Sequence, residues 1–413
     1  MGLQTCAEKL MRTVGERYMG LVSEHITLSF SEGEYYQDKD KLAVVTYAAL
    51  ARTFITPAAR ALRALNGSKT PSEETVLDSI RRIPSKEIFE GMKAANDEII
   101  RLARENREFA SDLTVAVDVH DVLRYSKLGF TCENRKRASS DIITVMGTKP
   151  KNGTCYAHKY ITIQNIKMNK DEPSYVIAFD RVLPLDDVRG KVIKLIKEAE
   201  EKTGRNVSLV LGDGGFDDVD TMKMLIAMRK NFVFRADKDN KVRKMLSELG
   251  NIDYHVEYGY VKGGNEHSVA VTLVIANVLW LKQHGLKFPL VKKNEENYLT
   301  LYTTLKAEGN ETLAEFCLRV FKLYKKRWGI ETGYRDIKEF EAKSHSLFDA
   351  VRLFLYLQAI LLYNVWVQIN FMYRDDPDRI KCFKSGVPKS FILFVFEQAI
   401  IRKIMEEVKE DDR

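Results

Sequence analysis

Cysteine is scarce and scattered. Cys6, Cys132, Cys155, Cys317 and Cys382 form no C-x-x-C pair, which excludes a disulfide framework and a zinc knuckle and fits a reducing environment. Proline is low as well, 9 in 413 residues, which leaves little room for long disordered or collagen-like stretches. A clean apolar run of membrane-spanning length is missing. Leu353 to Tyr373 is long enough, but Gln358, Asn364, Gln368 and Asn370 interrupt it, so the segment reads as a buried core helix and no membrane partner is expected. The first twenty residues mix acidic with basic side chains around no apolar centre, so no secretion signal is expected and a cytoplasmic location follows. What is present is ordinary: 45% hydrophobic and 30% charged residues, with 65 Lys and Arg against 58 Asp and Glu. The resulting +7 and a pI near 8.9 favour a polyanionic partner without proving one. The length allows two to three domains, and the sequence carries no internal repeat.

Residues 1–110 show helical patterns and hardly any strand signal, predicting a separate helical domain. Within it, Thr70-Pro71-Ser72-Glu73 offers a Thr N-cap, a proline at the first helical position and a following acid, predicting a helix over ETVLDSIRRI, with a second beginning after Pro84. The pair is compatible with a helix-turn-helix presenting Arg81 and Arg82 to DNA, or with a plain bundle. From Leu113 the period changes to strand: LTVAVDV, TCYAHKYITIQ and SYVIAFDRVL read as a meander. Then come the helix DDVRGKVIKLIKEAEEK, the strand NVSLVLG, the helix DDVDTMKMLIAMRK and the strand NFVFRA. This β-β-β-α-β-α-β order, over residues 111–237, resembles the ribonuclease-H-like fold, whose first and fourth strands lie parallel at the centre of a mixed α/β sheet. Residues 238–310 add strand-like runs, DYHVEYGYV, HSVAVTLVIANVLWL and YLTLYTTL, and read as a β-rich insertion. Thr312 with Glu315 makes a capping box for the helices of residues 311–375, where Gly329 is a candidate kink. Residues 376–413 read as a C-terminal helical segment.

Asp118 closes the strand LTVAVD and Asp213 follows the strand SLVLG. Carboxyl ends of neighbouring strands form the functional rim of an α/β sheet, and two carboxylates held close together are a natural seat for a divalent cation. The competing reading is a pair of turn-forming aspartates. On the helix beginning at Tyr324, a turn of about 100° per residue places Tyr324, Arg327, Glu331 and Lys338 on one face beside an apolar stripe of Leu323, Ile330 and Ile337. Such a face suits a metal-and-phosphate site, whereas a solvated face with Glu331 between Arg327 and Arg335 is the plain alternative.

The spacing Tyr-x2-Arg-x3-Glu-x6-Lys at Tyr324, Arg327, Glu331 and Lys338 resembles the YREK signature of prokaryotic insertion-sequence DDE transposases, with likeness over about residues 112–370. VAVDVHDVLRYSK is similar to that family's first-aspartate region, LVLGDGGF to its second, and YLTLYTTL to the strand before its glutamate helix. The resemblance implies that Asp118, Asp213 and Glu331 are catalytic and hold two Mg²⁺, for which Mn²⁺ substitutes. It implies that Tyr324, Arg327 and Lys338 bind DNA, and that the insertion fills the long gap between Asp213 and Glu331. The implied partners are double-stranded DNA, as terminal inverted repeats and target, and a second copy of the chain on paired ends. The implied activity is cleavage at the ends of a mobile element and strand transfer; the alternatives are a metal-dependent nuclease that does not join and a catalytically silent DNA-binding protein. Asp121, three residues after Asp118, leaves the first ligand ambiguous, with Asp118 preferred because it lies closer to the apolar strand. His120 is expected to be a turn or surface histidine, and His158 is open to either reading. Trp280, Tyr298 and Tyr302 are candidate base-stacking aromatics whose duller reading is core.

Overall fold

The computed structural model describes residues 19–29, 35–66, 70–125, 145–169, 172–264, 267–288, 297–377, 383 and 386–397. The first eighteen residues, Cys6, Cys132, Cys382 and the end of the C-terminal segment lie outside them. Strand β1 (Asp112–Arg124) is the centre of the fold. Its run from Leu113 to Val117 is buried on both faces, which is why the sequence there is apolar but for Thr114 rather than alternating. It pairs antiparallel with β3 (Thr154–Asn165) and parallel with β5 (Asn206–Gly212). Beyond β3 lie β4 (Val176–Val182) and the short β2 (Met146–Lys151), and beyond β5 lies β6 (Asn231–Arg235). The order β4-β3-β1-β5-β6 is the mixed arrangement expected from the strand pattern, and β2 is a strand the pattern did not announce.

The stretch read as an insertion is continuous with this sheet. β7 (Tyr254–Gly264), β8 (His267–Asn277) and β9 (Tyr298–Thr303) extend it edge to edge, because β9 pairs antiparallel with β6 and β8 with β9. Among the described residues one nine-stranded sheet results, in the order β2-β3-β1-β5-β6-β9-β8-β7, with β4 also paired to β3. Helices α6 (Val188–Thr203), α7 (Val219–Ala227) and α8 (Asn240–Leu249) follow β4, β5 and β6 in the chain. The last residues of HSVAVTLVIANVLWL leave the strand: Asn277 caps a short helix, α9 (Val278–Gln283), through its side chain.

The helical N-terminal part is not a body apart. Five helices are described, α1 (Met19–His25), α2 (Asp38–Leu50), α3 (Ile55–Asn66), α4 (Glu73–Arg82) and α5 (Ser85–Glu105). Ile88, Met92, Ala95, Ile99, Ile100 and Ala103 place one stripe of α5 in the same core as the sheet. Beside that stripe α1 packs on α5, since a side chain at Gly91 would lie 2.6 Å from the His25 carbonyl oxygen, while the opposite side, with Lys86, Glu90 and Arg101, is exposed. The pair thus packs by one side of α5 and keeps a solvent-facing side. Arg81 is engaged within the protein, bonded to Asp78 at 2.7 Å and lying over the Phe348 ring at 4.7 Å. The cap of α4 is Ser72, which accepts from the Thr75 amide, rather than Thr70; the proline precedes the cap.

The long apolar segment is α12 (Asp349–Met372), buried against α5 and the sheet. Its polar interruptions are hydrogen-bonding points. Asn364 accepts from the Val176 amide at 2.9 Å and donates to Asn96 at 2.7 Å and to the Val176 carbonyl, while Asn96 donates to the carbonyls of Val176 and Ile177. Asn364→Ala strands these buried partners and should cost about 2–4 kcal/mol, read as a lowered urea midpoint with an unchanged slope.

Candidate active site

Parallel pairing of β1 with β5 is last registered at Ala116 and Leu211. Two residues further on, the same alignment brings Asp118 beside Asp213 on adjacent strands, whose spacing is about 4.8 Å. The expectation that Asp118 ends its strand is corrected here. β1 runs on to Arg124, because its ladder with β3 persists after β5 has turned away into a short 3-10 turn, Gly214–Phe216. Asp213 caps that turn by accepting from the Gly215 amide. A side chain at Gly212 would lie 2.9 Å from the Phe234 ring, so glycine there lets the strand end close on its neighbour.

Glu331 reaches this rim from two helices that follow one another directly. The capping box of Thr312 and Glu315 opens α10 (Leu313–Lys326), and α11 (Trp328–Lys338) follows without an intervening loop. The break falls at Arg327, not Gly329. Three-residue hydrogen bonds from the Arg327 amide to the Tyr324 carbonyl and from the Ile330 amide to the Arg327 carbonyl tighten the chain there. The face of Tyr324, Arg327 and Glu331 survives the break. Arg327 donates to Glu331 Oε1 at 2.6 Å, and its guanidinium lies 5.5 Å from the centre of the Tyr324 ring. Arg327 is only 7% exposed, which removes the reading of a solvated face at its centre. Tyr324 is buried as well, whereas Glu331 and Lys338 are exposed.

Electrostatics tie the three carboxylates together. Burial, then the charge of Asp213, raise the Asp118 carboxyl to about 7; Glu331 adds to the rise and Arg327 opposes it. Arg327 is thus the named cation within reach of the cluster, with its own charge secured against burial by Tyr324 and Glu331. Among the described residues no three acidic, histidine or cysteine side chains converge closely enough to enclose an ion. The reason is visible: Glu331 is turned to Arg327, and one oxygen each of Asp118 and Asp213 is held by the Val119 and Gly215 amides. The donor set still suits a divalent cation, because three carboxylates at one rim repel and only partly cancel against one arginine.

Asp121 lies away from this rim. Three residues on along the strand, it points to the opposite face, where Thr148 donates to it at 2.6 Å and Lys159 pairs with it at 3.0 Å.

Residues 190–365 match the family model described as the transposase DDE domain. This supports a DDE-type transposase. The matched stretch holds Asp213 and Glu331, and the sheet register adds Asp118 from outside it. The structure is similar to a piggyBac transposase solved as a synaptic complex with hairpin DNA, with a TM-score of 0.53 and 11% identity. That similarity covers 98% of this chain and 81% of the other, and it speaks for the fold. No curated protein matches the sequence.

His120 corrects a further expectation. Since the strand continues, it shares the face of Asp118, stacked on Tyr334 with ring centres 4.3 Å apart. Burial, with Lys338 and Lys151 nearby, lowers its pKa to about 4 although Asp121 opposes the shift, so it is a neutral ring at neutral pH. Its two-residue offset from Asp118 was the available signal. His158 is part of a buried ion cluster, 3.5 Å from Asp349, which Arg181 grips in two-pronged fashion. Burial alone would raise the Asp349 carboxyl, but Arg181 overrides it and holds the group at about 2. Asp349→Ala leaves the largely covered Arg181 without this partner and should cost about 3 kcal/mol in urea unfolding.

The candidate stacking aromatics are structural. Trp280 packs on Tyr254 and His284, Tyr302 is buried beside Tyr260, and the Tyr298 hydroxyl accepts from the Ile252 amide at 3.1 Å. The insertion nevertheless touches the site. Lys262 of β7 pairs with Asp217 at 2.7 Å, four residues after Asp213, and lies over the Tyr302 ring. Arg235, at the end of β6 and close enough to act on Tyr324, is a further cation on this rim that sequence reasoning missed.

Proposed function

We propose that the chain is a transposase that cuts DNA at the ends of its mobile element and joins those ends to a target, with the insertion-sequence group marked by Tyr324, Arg327, Glu331 and Lys338 as its closest kind. The observation that carries this reading is the meeting of Asp118, Asp213 and Glu331 at one sheet rim with Arg327 beside them. Asp118 and Asp213, on adjacent strands, and Glu331, once it releases Arg327, would hold two divalent ions. Bound there, such ions supply activation of water or a 3′-hydroxyl and stabilisation of the leaving 3′-oxygen. Arg327, freed from Glu331, presents a two-pronged donor to a phosphate, and exposed Lys338 adds a point charge on the same side. Tyr324 fixes the Arg327 plane. Sequence-selective reading of the inverted repeats falls to the N-terminal helices. Two element ends call for two protomers.

The deciding experiment incubates the full chain and Mg²⁺ with duplexes carrying the inverted repeats that flank its coding region, and follows both cleavage and strand-transfer products. Both products are expected. Cleavage without joining would make it a nuclease, and repeat binding without cleavage a silent DNA-binding protein.

A further inference from the structure

Tyr334 stands three residues after Glu331, on the same side of α11, and its ring is buried on the sheet. Its hydroxyl donates to the Asp118 carbonyl oxygen at 3.1 Å and lies 2.6 Å from Thr162 Oγ1. A phenol has one hydrogen, so Thr162 donates to Tyr334 while Tyr334 donates to Asp118. Thr162 is the residue of β3 that pairs with Asp118 across the ladder. One hydroxyl therefore grips both strands at the rung that carries Asp118, from the helix that carries Glu331. The helix can sit this low because residue 333 is glycine: a side chain there would lie 2.4 Å from Gln164 Oε1. His120 supports the ring from below, and Tyr356 of α12 lies beyond it at 6.0 Å.

We propose that Tyr334 is a positioning residue that sets the distance between the Glu331 helix and the Asp118 strand, and so the spacing at which the three carboxylates take up divalent ions. The inference rests on the three-carboxylate reading above. Groups that orient metal ligands typically contribute tenfold to a hundredfold in metal affinity, and here the group orients two ligands on different elements at once. The stack on His120 is independent of the hydroxyl, so Tyr334→Phe keeps the ring and its packing while releasing the grip on the rung.

The test is calorimetric titration of Mn²⁺ into the full-length protein without DNA, which needs no turnover. Tyr363 provides the matched control. It is equally buried in the same helix-on-sheet layer, and its hydroxyl also makes two bonds, to Ser174 O at 2.8 Å and from Gln164 at 2.9 Å, but none to the Asp118 rung. Tyr334→Phe should weaken Mn²⁺ binding by about tenfold, and Tyr363→Phe by about twofold or less. Thr162→Ser, which retains the donor hydroxyl, should bind like the native protein, and Thr162→Val should fall between the native protein and Tyr334→Phe. Equal effects of Tyr334→Phe and Tyr363→Phe, or no effect of either, would overturn the positioning role while leaving the carboxylate reading intact. A native protein that takes up no Mn²⁺, or whose uptake is indifferent to Asp213→Asn, would overturn both.

Discussion

Asp118→Ala, Asp213→Ala and Glu331→Ala should each lower Mg²⁺-dependent cleavage of repeat-bearing DNA by at least about a thousandfold, because each forfeits several kcal/mol of charge stabilisation in the transition state. Binding of the same DNA should persist, since the cations of the rim are untouched. Asp121→Ala should cleave at close to the native rate, its carboxylate being committed to Thr148 and Lys159 on the opposite face. Loss of cleavage in Asp121→Ala together with a competent Asp118→Ala would reverse the assignment. The same geometry has a consequence for stability. Asp118 is raised from the ordinary carboxylate range to about 7 when no cation is bound. A raised folded-state pKa contributes stability that is fully present below the unfolded value near 4 and is lost as pH climbs through the folded value. Asp118→Asn should therefore melt higher than the native protein at pH 8 in a chelating buffer, and the advantage should vanish below about pH 4. Metal uptake should show the opposite slope for the native chain, strengthening up to about pH 7 as the proton leaves and then levelling. A variant that loses activity while gaining stability is the signature of a site whose charges are held together for function.

The sequence carried the central strands clearly because their burial on both faces writes itself as mostly apolar runs, Leu113–Val117 and Val207–Leu211, each interrupted by one small hydroxyl residue, Thr114 or Ser208. Their lengths were less legible. Past Asp118 the residues turn polar, with His120, Asp121 and Arg124, yet β1 continues because β3 supplies its hydrogen bonds. No local pattern announces a partner that distant in the chain. The same limit hid the joining of β9 to β6, which makes the insertion part of the sheet. It also hid the partner of α5, whose amphipathic stripe is plain in sequence but fits a free bundle as well as a sheet. At the site, the helical spacing of Tyr324, Arg327 and Glu331 was readable and the tightened turn at Arg327 was not, since arginine favours the helix. Tyr334 passed unnoticed for a physical reason: it sits beside the apolar stripe of Ile330 and Ile337, where a tyrosine reads as core until its hydroxyl is seen to reach Asp118.

Arg327→Ala and Lys338→Ala should separate two roles that share one face. Lys338 is exposed, with no ion pair among the described residues, so its loss should weaken DNA binding and reduce the salt slope by about 0.9, one phosphate contact, with little change in melting temperature. Arg327 is 7% exposed and lies between Tyr324 and Glu331. Removing it takes away the named cation that offsets repulsion at Asp118, so the metal-free protein should lose stability as well as phosphate contact. Arg327→Lys keeps a charge but not the planar fork, and should recover most of the stability and little of the cleavage. With substrate bound, a displacement of about 1 Å at the terminal phosphate can cost on the order of a hundredfold in rate. Cleavage by Arg327→Ala should therefore fall by about that factor even at DNA concentrations that saturate binding, whereas saturating DNA should restore Lys338→Ala. Salt-dependent binding, melting without divalent ions and cleavage at saturating DNA, measured for all three variants, check this. Native cleavage by Arg327→Ala under saturation would reduce the Arg327–Glu331 pair to a helix contact worth under about 1 kcal/mol.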